Sequence, residues 1–278
     1  MLRWYGYIGL LLIALAELNF HYAVQPFAEW YIVIVWSGYI LFVDSLVFRI
    51  KGRSLISSHT KEFVFIVMMS LPFWLIFEFY NVFTHSWHYV NYVWYVHIFD
   101  FMTILPAVLE TFSLLNSLNV WSLVDTKAFT ANPPKRQDNP RWAVRSLVIL
   151  GLVMCALPVF IGSNGFLFMW MGLAFLLDPL NYLTGSPSLL QKASVGMKST
   201  LLQISTAGLI MGFFWEFWNY QAYPKWFYSL PSIILNIKLF EMPVEGYVGY
   251  IAFGASAFLF YSFFRHIVFK DKNVLLSM

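Results

Sequence analysis

Charge is scarce in this chain and cysteine is almost missing. Only 11% of its 278 residues are Asp, Glu, Lys or Arg, against 60% hydrophobic residues, which is too little charge to cover a soluble domain. The single cysteine, Cys155, excludes a disulfide framework and a cysteine-cluster metal site. The sequence has no phosphate-binding loop, no nucleophile, histidine and acid set and no dinucleotide fingerprint. ATP-driven transport within the chain and Rossmann-type redox chemistry are therefore excluded, and no cofactor is called for. A mean hydropathy of +0.67 excludes disorder. What is abundant is ring surface: 29 Phe, 16 Tyr and 12 Trp are more than two interfacial belts need, which points to an aromatic-lined interior.

Apolar stretches of about 17–25 residues can cross ~30 Å of hydrocarbon. Eight are expected, over residues 4–20, 30–48, 63–83, 96–120, 146–161, 166–183, 201–218 and 246–264. With these spans, all basic residues except Lys225 and Lys238 fall on one side of the membrane, in the groups Arg3, Arg49 to Lys61, Lys127 to Arg145, Lys192 with Lys198, and Arg265 to Lys272. The positive-inside rule then places both termini in the cytoplasm. The net charge of +3 is thereby absorbed by topology, and a nucleic-acid partner is not expected. Ala14-Leu15-Ala16 resembles a signal-peptide cleavage site, but the internal repeat favours a retained first helix.

That repeat has a period near 138 residues, its offset drifting from 134 to 141. Gly38 to Asp44 matches Gly172 to Asp178, and Ser54-Leu55-Ile56 matches Ser188-Leu189-Leu190. Phe77-Glu78-Phe79-Tyr80-Asn81 matches Trp215-Glu216-Phe217-Trp218-Asn219, Trp87-His88-Tyr89 matches Trp226-Phe227-Tyr228, and Phe99-Asp100 matches Phe240-Glu241. Four helices per copy return the chain to its starting side, so the two copies should be related by an axis along the membrane normal. The expected fold is an all-α polytopic membrane protein of eight transmembrane helices, arranged as two tandem parallel four-helix repeats. Residues 1–125 form the first, 126–141 a proline-rich cytoplasmic linker, and 142–278 the second.

Carboxylates inside spanning helices are costly and usually face the bundle interior. Glu78 and Asn81 are three apart, as are Glu216 and Asn219, so each pair shares a helix face near the outer end. The expectation is that all four line one outer-leaflet cavity walled by Phe and Trp. Two carboxyls facing one poorly hydrated space do not easily both ionise, which suits one of them to act as an acid. An interhelical hydrogen-bond clamp is the alternative. Glu17, Asp100, Glu241 and Glu245 fall at similar depth. Asp44 and Asp178 sit near the cytoplasmic ends, where pairing with Arg49, Lys51 or Lys192 explains them, and Glu110 alone is deep. His85 and His88 have a spacing that binds metal on a helix, but the second copy has Lys225-Trp226-Phe227 in that place, and an interfacial loop accounts for them. No metal is expected.

The helix Trp215-Glu216-Phe217-Trp218-Asn219 with Glu241 downstream, and Phe77-Glu78-Phe79-Tyr80-Asn81 with His97 to Asp100 downstream, resemble small integral-membrane terpene cyclases. That family carries an acid in an aromatic W-E-F-type helix and a second acid further on. The resemblance covers about 30 residues in each copy and implies that Glu78, Glu216, Asp100 and Glu241 are the catalytic acids. Together with the aromatic wall, which suits carbocation stabilisation, it leads to an intramembrane, cyclase-like enzyme acting on an isoprenoid or other lipid. Two other readings stay open, a carrier or channel for a small solute or lipid and a structural or accessory subunit of a membrane complex. Expected partners are membrane lipids or an apolar small molecule, with a membrane-protein partner or a homo-oligomer left open. The topology is testable by cysteine accessibility in intact cells. A cysteine at Asn132 should resist an impermeant reagent and one at Tyr92 should react, and the reverse pattern overturns the assignment.

Overall fold

The computed structural model describes residues 1–125, 140–230 and 237–269. Most of the linker expected over 126–141 lies outside these residues, as does the C-terminal stretch from residue 270. The described chain is mostly helical. Its long helices are α1 (Trp4–Tyr22), α2 (Tyr31–Lys51), α4 (Thr60–Thr84), α5 (Trp94–Ser117), α6 (Arg141–Ile161), α7 (Phe166–Thr184), α9 (Ser199–Gln221) and α10 (Tyr247–Phe269), with the short α3 (Leu55–Ser58) and α8 (Leu189–Ser194) leading into α4 and α9. Four short strands, β1 (Trp87–Val90), β2 (Lys225–Tyr228), β3 (Lys238–Leu239) and β4 (Met242–Pro243), form two antiparallel ribbons, β1 with β2 and β3 with β4.

Among the described residues six helical stretches are long and apolar enough to cross a membrane: Tyr31–Lys51, Thr60–Thr84, Trp94–Ser117, Arg141–Thr184, Ser199–Gln221 and Val244–Phe269. This is the architecture of a multi-pass membrane protein, coarser than the expected count of eight for two physical reasons. In Arg141–Thr184 only the tight turn Gly162–Gly165 separates α6 from α7. In α1, Glu17, Asn19 and His21 near the C-terminal end dilute an otherwise apolar helix.

With no hydrophobic force between helices in lipid, close backbone approach has to hold them together. Glycine permits it. A Cβ on Gly9 would come within 2.5 Å of the Gly38 carbonyl oxygen, tying α1 to α2. One on Gly208 would meet the Tyr250 carbonyl oxygen at 2.1 Å, tying α9 to α10. Where α4 meets α5 the small residue is Ser70, whose hydroxyl donates to the Phe101 carbonyl at 2.5 Å and accepts from Leu105 N–H at 2.9 Å.

Asp44 and Asp178 build loops and do not require the ion pairs expected for them. Asp44 accepts from Tyr5 Oη–H at 2.6 Å, Ser54 Oγ–H at 2.7 Å and Ile56 N–H at 2.9 Å. Asp178 accepts from Ser188 Oγ–H and Leu189 N–H at 2.7 Å and from Leu190 N–H at 2.9 Å. Both serines also cap the short helices that follow, so each aspartate fixes the entry of the next long helix. Lys192, outside the spans, donates to Thr200 Oγ1 at 3.0 Å, and its burial pushes its ammonium below the ordinary value, with Asp125 opposing.

Missed in the sequence was Glu62, at the start of α4. It accepts from Arg265 Nε–H at 2.7 Å and Tyr261 Oη–H at 2.6 Å, bolting α4 to the end of α10. Glu62 is 5% and Arg265 2% exposed, and removing one partner of such a pair strands a buried charge. Arg265→Met should therefore cost about 3–5 kcal/mol of stability in detergent unfolding, and adding Glu62→Leu should recover most of it. A single-variant loss under about 1 kcal/mol would show that the pair behaves as a surface salt bridge.

Candidate functional site

The β1–β2 ribbon closes one end of the bundle. Its register pairs Trp87 with Tyr228, His88 with Phe227 and Tyr89 with Trp226, so alternate residues of both strands turn to the same face. That face carries Trp87, Tyr89, Trp226 and Tyr228 and roofs a partly open cavity of ≈ 30 Å³, with walls from α2, α4, α5, α7, α9 and α10. Its lining is almost entirely aromatic, and among the described residues Asp100 and His97 are its only ionisable groups besides tyrosines.

Asn81 and Asn219 hold the roof in place. Asn81 Nδ2 donates to the Trp87 carbonyl at 2.9 Å and its Oδ1 accepts from Trp87 N–H at 3.1 Å. Asn219 makes the same two bonds with Trp226, both at 2.9 Å. An amide is the side chain that can satisfy a backbone N–H and C=O together. The expectation that these asparagines line the cavity is corrected accordingly: they fold the chain back over the helix end.

Glu78 and Glu216 stand one layer behind the cavity wall, also contrary to expectation, because the rings that do line it reach back to them. Glu78 Oε1 accepts from Trp74 Nε1–H at 2.7 Å, Trp87 Nε1–H at 3.3 Å and Tyr89 Oη–H. Glu216 Oε1 accepts from Tyr228 Oη–H at 2.6 Å and Tyr250 Oη–H at 2.5 Å, and Trp226 Nε1–H donates to Tyr228 Oη at 2.8 Å. Glu216 and Asn219 are fully buried at 0% exposure, and Glu216 Oε2 has no hydrogen-bond partner. Burial first, then the adjoining Glu78 carboxyl, holds the Tyr89 phenol well above its ordinary value, and burial with Glu216 does the same to Tyr228. Both roof phenols thus remain O–H donors at neutral pH.

Asp100 does reach the cavity, in company the sequence did not reveal. His97, one turn earlier on α5, places Nδ1 3.0 Å from Asp100 Oδ2. Both are buried, and His97 Nε2 and Asp100 Oδ1 lack partners. Tyr92 stacks on the imidazole at 4.3 Å between ring centres. The i, i+3 spacing of His97 and Asp100 at a helix start was the available signal. Tyr250 was also missed, and its signal lay in Gly212, four residues before Glu216, where α4 has Trp74. A Cβ there would meet the Tyr250 ring at 2.3 Å.

The remaining candidates fall elsewhere. Glu241 sits in the turn between β3 and β4, paired with Lys225 at 2.7 Å, so it does not occupy a place equivalent to Asp100 in α5. The sequence match had aligned the two across an insertion. His85 and His88 are exposed, and no group of three or more metal-ligating side chains occurs among the described residues. Glu17 accepts from Trp218 Nε1–H at 2.9 Å, tying α1 to α9. Glu110 is fully buried beside the Asp44 carboxyl.

Replacing Asn219 by Leu removes two buried backbone partners, each costing about 1–3 kcal/mol. Asn219→Leu should therefore lower stability clearly more than Asn219→Asp, which keeps the bond to Trp226 N–H, as read by thermal unfolding in detergent. Equal stability of the two variants would show that the fold-back holds without the clamp. No family model, curated protein or solved structure matches the chain, and a functional reading rests on the side chains around the cavity.

Proposed function

We propose that the chain crosses the membrane eight times with both termini in the cytoplasm, and that it is an intramembrane acid–base enzyme built from two parallel four-helix repeats. The crossing count is supported by eight helices of 19 to 25 residues. Support for the repeat comes from paired interactions at corresponding positions. Asn81 and Asn219 clamp Trp87 and Trp226 alike, Asp44 and Asp178 hold corresponding serines, and Trp36 with Trp215 mirrors Trp170 with Phe77 at 5.9 and 5.0 Å between ring centres. The β1–β2 register has the same symmetry, since Trp87 faces Tyr228 while their counterparts Trp226 and Tyr89 face each other.

The observation that carries the catalytic reading is the placement of an acid and a base around one aromatic chamber. Glu216 lies behind the phenols of Tyr228 and Tyr250, which line the cavity, and the His97–Asp100 pair lies on the wall with Nε2 bare. In this reading a protonated Glu216 turns its carboxyl O–H onto the Tyr250 oxygen, reversing the bond between them, as the Tyr250 O–H proton passes to an alkene carbon. The π pair becomes the new C–H bond and leaves a carbocation, which the tryptophan faces stabilise by about 2 kcal/mol or more when desolvated. His97 Nε2 then takes a proton from the neighbouring carbon, and its C–H pair restores a double bond. Asp100 holds the imidazole in the tautomer with a lone pair on Nε2 and stabilises the imidazolium that forms. The net reaction is an isomerisation, and the proton gained by His97 returns to Glu216 before the next turnover. A cavity of ≈ 30 Å³ has room for about two waters, so an isoprenoid or similar lipid enters by one terminus.

The decisive measurement is conversion of the lipids that copurify in mild detergent, identified by mass spectrometry. Glu216→Gln keeps a hydrogen-bonding side chain and should lower conversion on the order of a hundredfold or more while melting within a few degrees of the parent. Glu216→Leu should lose both activity and stability. An active, stable Gln variant would end the catalytic reading and leave Glu216 as a clamp between β2 and α10.

A further inference from the structure

We propose that the aromatic cavity is a binding site for an organic cation, specifically an alkylated ammonium that retains an N–H. Six tryptophans, Trp36, Trp74, Trp87, Trp170, Trp215 and Trp226, contribute to its lining. The face of an indole attracts a cation more strongly than any other side-chain ring, and most of all where water is excluded. The protein's own cations near this end do not occupy the chamber. Lys225 is held outside the lining by Glu241, with its Nζ 4.6 Å from the centre of the Phe227 ring, and no lysine or arginine is among the lining residues.

The unpartnered polar atoms narrow the ligand further. Asp100 Oδ1 and His97 Nε2 have no donor, although Asp100 is only 7% and His97 3% exposed. With its Nδ1–H directed at Asp100 Oδ2, a neutral His97 presents Nε2 as a lone pair. In the tautomer that donates Nδ1–H to Asp100, both wall atoms accept hydrogen bonds. Leaving buried acceptors unpaired is unfavourable, and a ligand N–H relieves it. The unpartnered donor on the wall is Trp170 Nε1, which a neutral hydroxyl would satisfy, so an alcohol is the natural competitor. A cavity of ≈ 30 Å³ admits a head group the size of about two waters, which fits a small substituted ammonium centre with its longer substituent directed outward. The inference extends the acid–base reading of the same cavity, because a chamber suited to a transient carbocation also suits a stable ammonium, but it does not depend on turnover.

The test titrates the full-length protein in detergent micelles with N,N-dimethylhexylamine in its protonated form, hexyltrimethylammonium and hexanol, followed by tryptophan fluorescence. The tertiary ammonium is expected to bind about tenfold or more tightly than hexanol and more tightly than the quaternary ion, which has the charge without the N–H. Asp100→Asn preserves the side-chain shape and should weaken ammonium binding about tenfold or more while leaving hexanol unaffected. Equal affinity for ammonium and hexanol overturns the cation site. A quaternary ion that binds as well as the tertiary one, or an Asn variant that binds ammonium like the parent, overturns the role of Asp100 and His97 as its acceptors. If Asp100→Asn fails to fold, the three probes on the parent protein decide alone. Ammonium binding without lipid conversion sinks the enzyme reading and leaves the cation site standing, whereas conversion without ammonium binding does the reverse.

Discussion

A polar group in hydrocarbon has to find its hydrogen bonds inside the protein, because water is not there to supply them. Most of this molecule's interior follows from meeting that demand with aromatic side chains. Glu78 and Glu216 would each be costly in a spanning helix, and each is met by indole N–H or phenol O–H groups whose ring bodies belong to the apolar core. A tyrosine or tryptophan is apolar along most of its surface and polar at one point. Surrounding a buried carboxyl with such rings satisfies the acid and fills space together.

The same demand shapes the backbone. Four-residue strands at a helix end would leave their edges unpaired, and β1 and β2 resolve this by pairing with each other while Asn81 and Asn219 bind the chain just beyond each helix. The roof is thus secured by ladder bonds and two amide clamps, and the phenols it carries are aimed at the acids beneath. At the opposite end of α4 and α10, the Glu62–Arg265 pair with Tyr261 joins the two helices through charge.

Under the proposed repeat the two acids are unequal, and the cause is a single exchange. Four residues before Glu78 stands Trp74, whose own indole reaches the carboxyl. Four residues before Glu216 stands Gly212, and the vacated space is taken by Tyr250 from α10. Glu78 stays partly exposed with three donors on one oxygen, whereas Glu216 is sealed with its second oxygen bare. Duplicated scaffolds diverge readily in this way, since one large-to-small change opens room that a neighbouring helix can use.

Composition and the length of apolar runs were enough to determine a helical, multi-pass membrane protein, because the hydrocarbon thickness imposes one length on any helix that crosses it. The Glu and Asn spacing likewise placed each pair on one helix face, since that periodicity is local. Tertiary structure alone decided which groups surround the cavity. Trp36, Trp170 and Tyr250 come from distant helices, and nothing in their local spacing says that they meet. It also decided the fate of the named acids: Asp100 gained His97 and a place on the wall, Glu241 was drawn to Lys225 in a turn, and Glu78 and Glu216 withdrew behind the rings that bond them. The physical reason is that periodicity tells which face of a helix a residue occupies, whereas the partner that satisfies a buried carboxyl is set by which other helices pack against that face.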